Sequence, residues 1–316
     1  MLHVGLDEAG YGPLLGPLVI GLSAFRTADD DTPLARRLEG LVVRRPRSRK
    51  NGTRKLPVPI DDSKEIHRRF GREGLARGVH AFFAARGEPP VRDLEDLLRR
   101  CSDEGPESFR HRAWYTHLDG ARLPEAAASP RLDARFLARG VEAVALRVLP
   151  VDAARLNDAF DRHDNKARVL GIAAGGTLLR LLDAHPGEDA RVVFDRQGAR
   201  LDYGPYLADL FPFAQITTRP APEGESHYDV VLPSRRLDIR FVTKGDRHAL
   251  TVAWASMAAK LVRELFMDLL NDFFLERCPE LRPTRGYVQD GRRFLTDVDA
   301  VIHAEQIAVR ELVRSR

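Results

Sequence analysis

Cysteine is scarce in this chain of 316 residues, which contains only Cys101 and Cys278. These two residues lie far apart in sequence and have no further ligands at metal-binding spacing, so they predict neither a disulfide framework nor a zinc ribbon. A protein of a reducing compartment is the expected consequence, and we predict a cytoplasmic location.

Long apolar runs and a strong charge bias are also missing. No segment approaches the roughly 18 consecutive apolar residues that a membrane-spanning helix requires, and no membrane partner is expected. We expect no signal peptide, because Asp7 and Glu8 interrupt the first apolar stretch after a few residues. The net charge of +4, with an isoelectric point near 9.2, is compatible with a nucleic-acid partner but does not require one.

What the chain does contain is enough apolar material for a full core, since 43% of its residues are hydrophobic. Its length allows one large or two ordinary domains. Residues 87–140, rich in proline and charge, are interpreted as a helical insertion. Strand patterns alternate with helical periodicity, which is typical of an α/β domain. The predicted strands are 2–6, 17–25, 141–149, 191–195, 213–218 and 237–243, and the predicted helices are 65–86, 152–184 with a break near 161–164, 248–276 and a shorter one near the C-terminus.

The stretch GLDEAGYGPLLGPLVIG, residues 5–21, places the adjacent carboxylates Asp7 and Glu8 directly before a series of glycines. A tight hairpin with solvated acids explains the glycines but leaves the paired acids unexplained. A dinucleotide site is disfavoured, because a strand-like segment follows the glycines where that fingerprint needs a helix. Two carboxylates would also face the pyrophosphate of the nucleotide.

The remaining interpretation of this stretch is a metal site. Mg²⁺ prefers oxygen ligands, and cleavage of a phosphodiester by two ions needs several converging carboxylates. Asp7 and Glu8 point to opposite faces of a strand, so they reach one site only where the strand ends or bends. Two further acids follow strand-like or turn segments, Asp195 after RVVF and Asp246 in TKGD. The sequence therefore predicts that these four acids converge.

Five motifs resemble those of the ribonuclease HII family and occur in that family's order. GLDEAGYGPLLGPLV resembles the family's opening motif, and DDSK at 61–64 resembles its DSK element. VVFDRQG at 192–198 is similar to a family strand that ends in an acid. Two later segments are also similar, KGD at 244–246 followed by WASMAAKLVRE at 254–264, and RGY at 285–287. The resemblance covers the chain except about 27–58, 87–140 and 219–236, which look like insertions.

The resemblance implies a ribonuclease-H-like α/β fold, with a mixed five-stranded sheet flanked by helices. Residues 1–275 would form the catalytic domain, including the insertion, and residues 276–316 a small helical C-terminal region. The implied activity is a metal-dependent endoribonuclease that cleaves the RNA strand of RNA–DNA hybrids, and single ribonucleotides in duplex DNA. It would use two Mg²⁺ or Mn²⁺ ions and leave 5′-phosphate and 3′-hydroxyl ends. We expect a monomer.

The resemblance also assigns the site residues. Asp7, Glu8, Asp195 and Asp246 become the catalytic, metal-binding acids. The residues matched to substrate binding are Gly10, Tyr11 and Gly12, whose backbone would sense the ribose 2′-hydroxyl, Lys64 as a phosphate contact, and Tyr287 as an aromatic side chain that packs on the sugar.

Two positions depart from the family pattern. Tyr11 stands where the family has arginine, which removes one cationic contact to the nucleic acid. Glu264 stands where the family tends to have aspartate. On one straight helix, Asp246 and Glu264 would lie about 27 Å apart, too far to ligate one metal pair. We therefore assign Asp246 to the site and expect Glu264 to pair with a nearby lysine or arginine.

Two alternative functions stay open. One is a catalytically silent module that binds hybrids, with the insertion as its working surface. The other is a nuclease of the same fold with a different substrate, such as a junction resolvase. The basic segment 44–55 would either contact phosphates or form a solvated loop. Trp114 and Tyr115 are expected to pack within the insertion rather than to stack on bases.

Overall fold

A computed structural model of the chain describes residues 1–29, 32–44, 57–125, 131–196, 198 and 200–316. Apart from Arg44, the basic segment 44–55 lies outside these residues. None of the helices in the described ranges combines the length and the apolar character needed to cross a membrane.

A mixed sheet of seven strands forms the centre of the part of the chain that the structure describes, in the spatial order β5-β2-β1-β6-β9-β8-β7. Strand β1 pairs antiparallel with β2 and parallel with β6, and β6 pairs parallel with β9. A separate parallel pair consists of β3 and β4. In chain order the strands are β1 (Leu2–Ala9), β2 (Leu18–Thr27), β3 (Val42–Val43), β4 (Val58–Pro59), β5 (Val141–Val151), β6 (Ala190–Asp195), β7 (Gln215–Arg219), β8 (Glu225–Leu232) and β9 (Arg235–Val242).

The predicted α/β class, with a mixed sheet flanked by helices, is confirmed, but the prediction of five strands is wrong. Strands β8 and β7 extend the sheet beyond β9. Strand β7 matches the strand predicted at 213–218, so β8 is the strand of this sheet that no predicted segment covers. Strand β8 lies within the segment 219–236 that was interpreted as an insertion. It buries Tyr228 and Val230 while the residues between them are partly exposed. Its sequence ESHYDVVL is half polar, so its apolar alternation is too short to predict a strand.

The helices cover both faces of the sheet. The predicted break near 161–164 is present, since one helix ends at His163 and the next begins at Lys166. Single 3-10 turns occur at Pro106–Ser108, Ala113–Tyr115 and Leu118–Gly120. The α-helices are α1 (Leu34–Arg37), α2 (Ser63–Ala85), α3 (Leu94–Cys101), α4 (Leu132–Leu137), α5 (Ala153–His163), α6 (Lys166–Ala184), α7 (Gly204–Leu210), α8 (Gly245–His248), α9 (Leu250–Leu275), α10 (Val288–Asp297), α11 (Asp299–Ala304) and α12 (Val309–Leu312).

Two apolar cores lie on opposite faces of the sheet, because side chains alternate along each strand. On one face, Ile20 and Leu22 of β2 pack with Leu178 of α6. On the other face, Val19 joins a larger core that contains most of α9, including Trp254. Helix α9 is apolar around almost its whole circumference, as expected of a helix that is enclosed by protein.

The insertion 87–140 forms part of the larger core. The Tyr115 ring lies 4.8 Å from Phe266, and the Trp114 ring lies 6.2 Å from Phe273, both on α9. Trp114 and Tyr115 thus pack in the core, as expected. They contact each other within the insertion, and they also contact side chains of α9. Side chains of the C-terminal region, such as Phe294, join the same core. The domain division at residues 275 and 276 stays a prediction.

If the insertion is part of the core, Trp114→Ala should destabilise the protein by about 3–5 kcal/mol, because the indole is buried and its removal leaves a cavity. Urea denaturation followed by far-UV circular dichroism measures this change. Leu137→Ala is the matched control, since Leu137 lies in the same insertion with 63% of its surface exposed. A Trp114→Ala protein as stable as the control would show that the insertion folds separately.

Candidate active site

The four predicted acids lie at one edge of the sheet, where three parallel strands end. Asp7 and Glu8 are near the end of β1, and Asp195 is the last residue of β6. The register pairs Leu6 of β1 with Phe194 of β6, so Asp7 and Asp195 lie at the same level. Strand β9 runs parallel to β6 and leads directly into α8, which carries Asp246. The topology therefore brings the four acids together.

Burial and mutual repulsion raise the pKa values of the two acids of β1. Burial raises the pKa of Asp7 well above its ordinary value, with further increases from the negative charges of Glu8 and Asp195, while a hydrogen bond with Ser256 opposes the shift. Burial and the charge of Asp195 raise the pKa of Glu8 to about 7, although the positive charge of Lys64 acts against them. Asp7 and Glu8 therefore both lie close enough to Asp195 for its negative charge to raise their pKa values.

Burial also raises the pKa values of the other two acids, Asp195 and Asp246. Burial raises the pKa of Asp195, although its carboxylate accepts a hydrogen bond of 2.6 Å from the backbone N–H of Gly245. Burial, followed by the charges of Asp62 and Asp195, raises the pKa of Asp246 to about 6. The hydrogen bond from Gly245 also fixes the start of α8 against the end of β6.

The donor set suits a hard divalent cation, because all four groups are carboxylates whose negative charges repel one another. A bound cation would relieve this repulsion and favour the ionised forms. Among the described residues, no three histidine, cysteine or acidic side chains are already arranged as a ligand group. A metal is therefore favoured here by the chemistry and electrostatics of Asp7, Glu8, Asp195 and Asp246.

Two buried arginines hold the glycine loop that follows β1. Arg263 of α9 donates hydrogen bonds to the carbonyl oxygens of Leu15 and Pro17, at 3.2 and 3.1 Å. Arg314 donates to the carbonyl oxygens of Gly10 and Gly16, the latter at 2.9 Å from Nε. Burial, followed by the charge of Arg263, lowers the pKa of Arg314 to about 9. The loop is therefore fixed from two directions.

Neither arginine was identified from the sequence. Arg263 lies on α9 between Lys260 and Glu264, so no sequence pattern distinguishes this buried cation from its charged neighbours. Arg314 lies in a short polar tail that carries no distinguishing pattern either.

A groove of about 540 Å³ adjoins Glu8 and is lined by the glycine loop, the start of α2 and the segment after α9. Tyr287 is 57% exposed, and Tyr11 is 36% exposed. Lys260 and Arg285 add positive charge to the groove wall. All of the predicted substrate-binding residues line this groove, namely Gly10, Tyr11, Gly12, Lys64 and Tyr287.

Glu264 also lines the groove, but it has its own partner. Its carboxylate lies 2.9 Å from the Lys260 ammonium, so the ion pair expected from the sequence is present. Burial raises the pKa of Glu264, but the charge and hydrogen bond of Lys260 more than offset this, and the net shift is downward. Asp246 lies on the separate helix α8, and its pKa responds to Asp195. The assignment of Asp246 rather than Glu264 to the site stays a prediction.

The shift at Glu8 predicts a pH-dependent stability of the metal-free protein. A carboxyl group with a pKa raised from 4.5 to about 7 stabilises the fold at low pH, and this contribution is lost as the pH rises through 7. Glu8→Gln should therefore raise the free energy of unfolding at pH 8, relative to wild type, on the order of 1 kcal/mol more than at pH 4. Urea denaturation in EDTA at both pH values measures this difference.

Glu264→Gln is the control for this experiment, because the pKa of Glu264 is lowered and its effect should have the opposite sign. The same change with pH in both variants would contradict the proposed repulsion among the site acids.

The loop geometry predicts different outcomes for two of its glycines. Gly16 has a φ of +78°, and a Cβ there would overlap the Met267 sulfur, so Gly16→Ala should destabilise the protein by about 1–3 kcal/mol. A Cβ at Gly12 meets no atom within 4 Å, so Gly12→Ala should change the stability by less than about 0.5 kcal/mol. Urea denaturation of both variants tests the loop. Equal destabilisation would mean that the loop has another conformation.

Comparison with known proteins finds similarity only at the level of structure. No family model matches the chain, and no match is found among curated proteins. The chain is similar to the RNase HII of Archaeoglobus fulgidus, solved in a PCNA:RNase HII complex, with 16% identity, a TM-score of 0.42 and coverage of 100% of this chain and 95% of that one. It is similar to Bst-RNase HIII in complex with Mn²⁺, with 15% identity, a TM-score of 0.43 and coverage of 99% and 66%. It is also similar to the ribonuclease H2 of Pyrococcus horikoshii OT3, with 14% identity, a TM-score of 0.41 and coverage of 99% and 92%.

Proposed function

We propose that this protein is a metal-dependent endoribonuclease that cleaves the RNA strand of RNA–DNA hybrids, and single ribonucleotides in duplex DNA. The observation that carries the proposal is the convergence of Asp7, Glu8, Asp195 and Asp246 at the ends of parallel strands, where burial, together with repulsion from neighbouring carboxylates, raises their pKa values. Clusters of strongly shifted groups beside a groove are typical of catalytic sites.

The four acids would hold Mg²⁺ or Mn²⁺ in this proposal. When bound, two such ions activate the attacking water and stabilise the leaving 3′-oxygen, which gives 5′-phosphate and 3′-hydroxyl ends. The chain itself supplies carboxylate oxygens held by β1, β6 and α8.

The groove beside Glu8 supplies the substrate contacts. The charge of Lys64 acts on both Glu8 and Asp195, so this cation is placed where it would bind a phosphate next to the acids. The open space at Gly12 lets the loop backbone approach a ribose, whose 2′-hydroxyl is both donor and acceptor. The exposed ring of Tyr287 provides a face for the neighbouring sugar. These contacts favour a substrate that contains ribose over DNA alone.

Incubation with an end-labelled RNA–DNA hybrid and Mg²⁺ or Mn²⁺, with the products mapped on a gel, tests this function. Loss of a residue that only orients a metal ligand typically lowers metal affinity or activity about 10–100-fold. Asp7→Asn and Asp246→Asn alter the proposed ligands themselves, so each should lower the cleavage rate about 100-fold or more. Glu264→Gln is the matched control on the groove wall and should lower the rate less than about tenfold. An inactive Glu264→Gln beside an active Asp246→Asn would reverse the assignment of the fourth acid.

The same assay separates the alternatives. Hybrid binding without cleavage under either metal would identify a silent binding module. Cleavage of four-way junctions or of all-DNA duplex, with hybrids left intact, would identify a different nuclease.

A further inference from the structure

A lysine from a different part of the chain lies against Tyr11. The Lys166 ammonium is 4.7 Å from the centre of the Tyr11 ring, although the two residues belong to α6 and to the glycine loop. Tyr11 lines the groove beside Glu8, whereas Lys166 does not. The pair therefore extends the surface of the groove beyond its edge, on the side where Tyr11 lies near Glu8.

The position of Lys166 is unfavourable for the stability of its own helix. It is the first residue of α6, and the first turn of this helix contains no acid, although the N-terminus of a helix carries partial positive charge. Among the residues that the structure describes, no carboxylate forms an ion pair with its ammonium, and the Tyr11 ring is the contact that it makes. A cation–π contact of this kind stabilises by roughly 0.5–2 kcal/mol.

A second cation acts on the same tyrosine. The Arg200 guanidinium lies 5.5 Å from the Tyr203 ring, and its positive charge opposes the increase in the pKa of Tyr11 that burial and Glu8 cause. Burial and the charge of Arg314 lower the pKa of Lys166, and no nearby carboxylate in the described ranges offsets this decrease. Lys166 and Arg200 thus place two positive charges near Tyr11, on which the negative charge of Glu8 also acts, and an incoming anion would reduce the repulsion between the two cations.

We propose that Lys166, held in place by the Tyr11 ring, binds a backbone phosphate of the nucleic acid beside the scissile bond. This inference rests on the proposed function, because it assigns the bound phosphate to the same substrate. An ammonium suits this role as a compact charge on a flexible stem. The aromatic ring limits the freedom of the stem, and the ammonium N–H groups that face away from the ring can donate to phosphate oxygens.

The test is the salt dependence of hybrid binding, measured by fluorescence anisotropy with Ca²⁺ in place of Mg²⁺. Removal of one phosphate contact should lower the slope of log K against log salt concentration by about one, and Lys166→Gln should show this loss together with weaker binding. Lys166→Arg should restore the slope. Tyr11→Ala should lower the affinity of wild type but have little further effect in a Lys166→Gln background, because both changes remove the same contact.

Arg135→Gln is the matched control. Arg135 is an exposed cation on α4, just before the start of β5, and this end of β5 lies at the edge of the sheet opposite to the acids. Its removal changes the net charge by the same amount as Lys166→Gln, and the slope should stay at the wild-type value. Thermal melts of all variants report whether they are folded.

The outcomes distinguish the inference from the proposed function. If wild type binds and cleaves the hybrid while Lys166→Gln keeps the wild-type slope and affinity, the inference is wrong and the function stands. If Lys166→Gln and Arg135→Gln lower the slope equally, Lys166 acts only through net charge and the inference is also wrong. If wild type neither binds nor cleaves any hybrid, the proposed function fails, and the phosphate site fails with it.

Discussion

The close approach of helix α9 to strands β1 and β2 determines where most of the site residues lie. Gly5 and Gly21 face this helix, and a Cβ at either position would overlap backbone atoms of Val252 or Ala255. The absence of side chains lets the helix backbone rest directly on the sheet. The Ser23 hydroxyl then donates a hydrogen bond of 2.7 Å to the carbonyl of a residue in the first turn of the helix. Every side chain of α9 is thus positioned relative to the strand that carries Asp7 and Glu8.

The side chains of α9 use this position to connect the core with the site. Ser256 reaches Asp7, and Lys260 pairs with Glu264 at the groove wall. Arg263 lies one turn further and fixes the glycine loop through its carbonyl oxygens. A buried guanidinium is costly unless its N–H groups are bonded, and these carbonyls provide the partners. Residues spaced by three or four positions lie on one side of a helix, so a single element supports the acids, the groove and the loop.

The parts of this arrangement that are local in sequence could be predicted, and the long-range parts could not. Asp7 and Asp195 each follow an apolar strand pattern, and parallel strands bring such acids to one edge, so their convergence follows from short segments. Strand β8 escaped prediction because neighbouring strands, rather than its own composition, determine that it forms. Arg314 bonds to Gly10 across almost the whole chain, and no spacing rule connects the two. The ion pair of Glu264 was predictable, because a lysine four residues away on a helix is within reach.

The charges around the acids explain why their repulsion persists in the folded protein. Arg247 pairs with Asp62 at 2.8 Å, and Arg44 pairs with Asp61 at 3.1 Å, so these nearby cations already have carboxylate partners. An ion pair lowers the effective charge that each arginine presents to a third group. The DDSK segment therefore provides Lys64 as a cation for the site while its two aspartates engage arginines beside it. Negative charge is left in excess at the strand ends, where it costs stability unless cations from solution are bound. A phosphodiester is itself an anion, so it would approach this pocket only with such cations and the lysines at the groove to offset the repulsion.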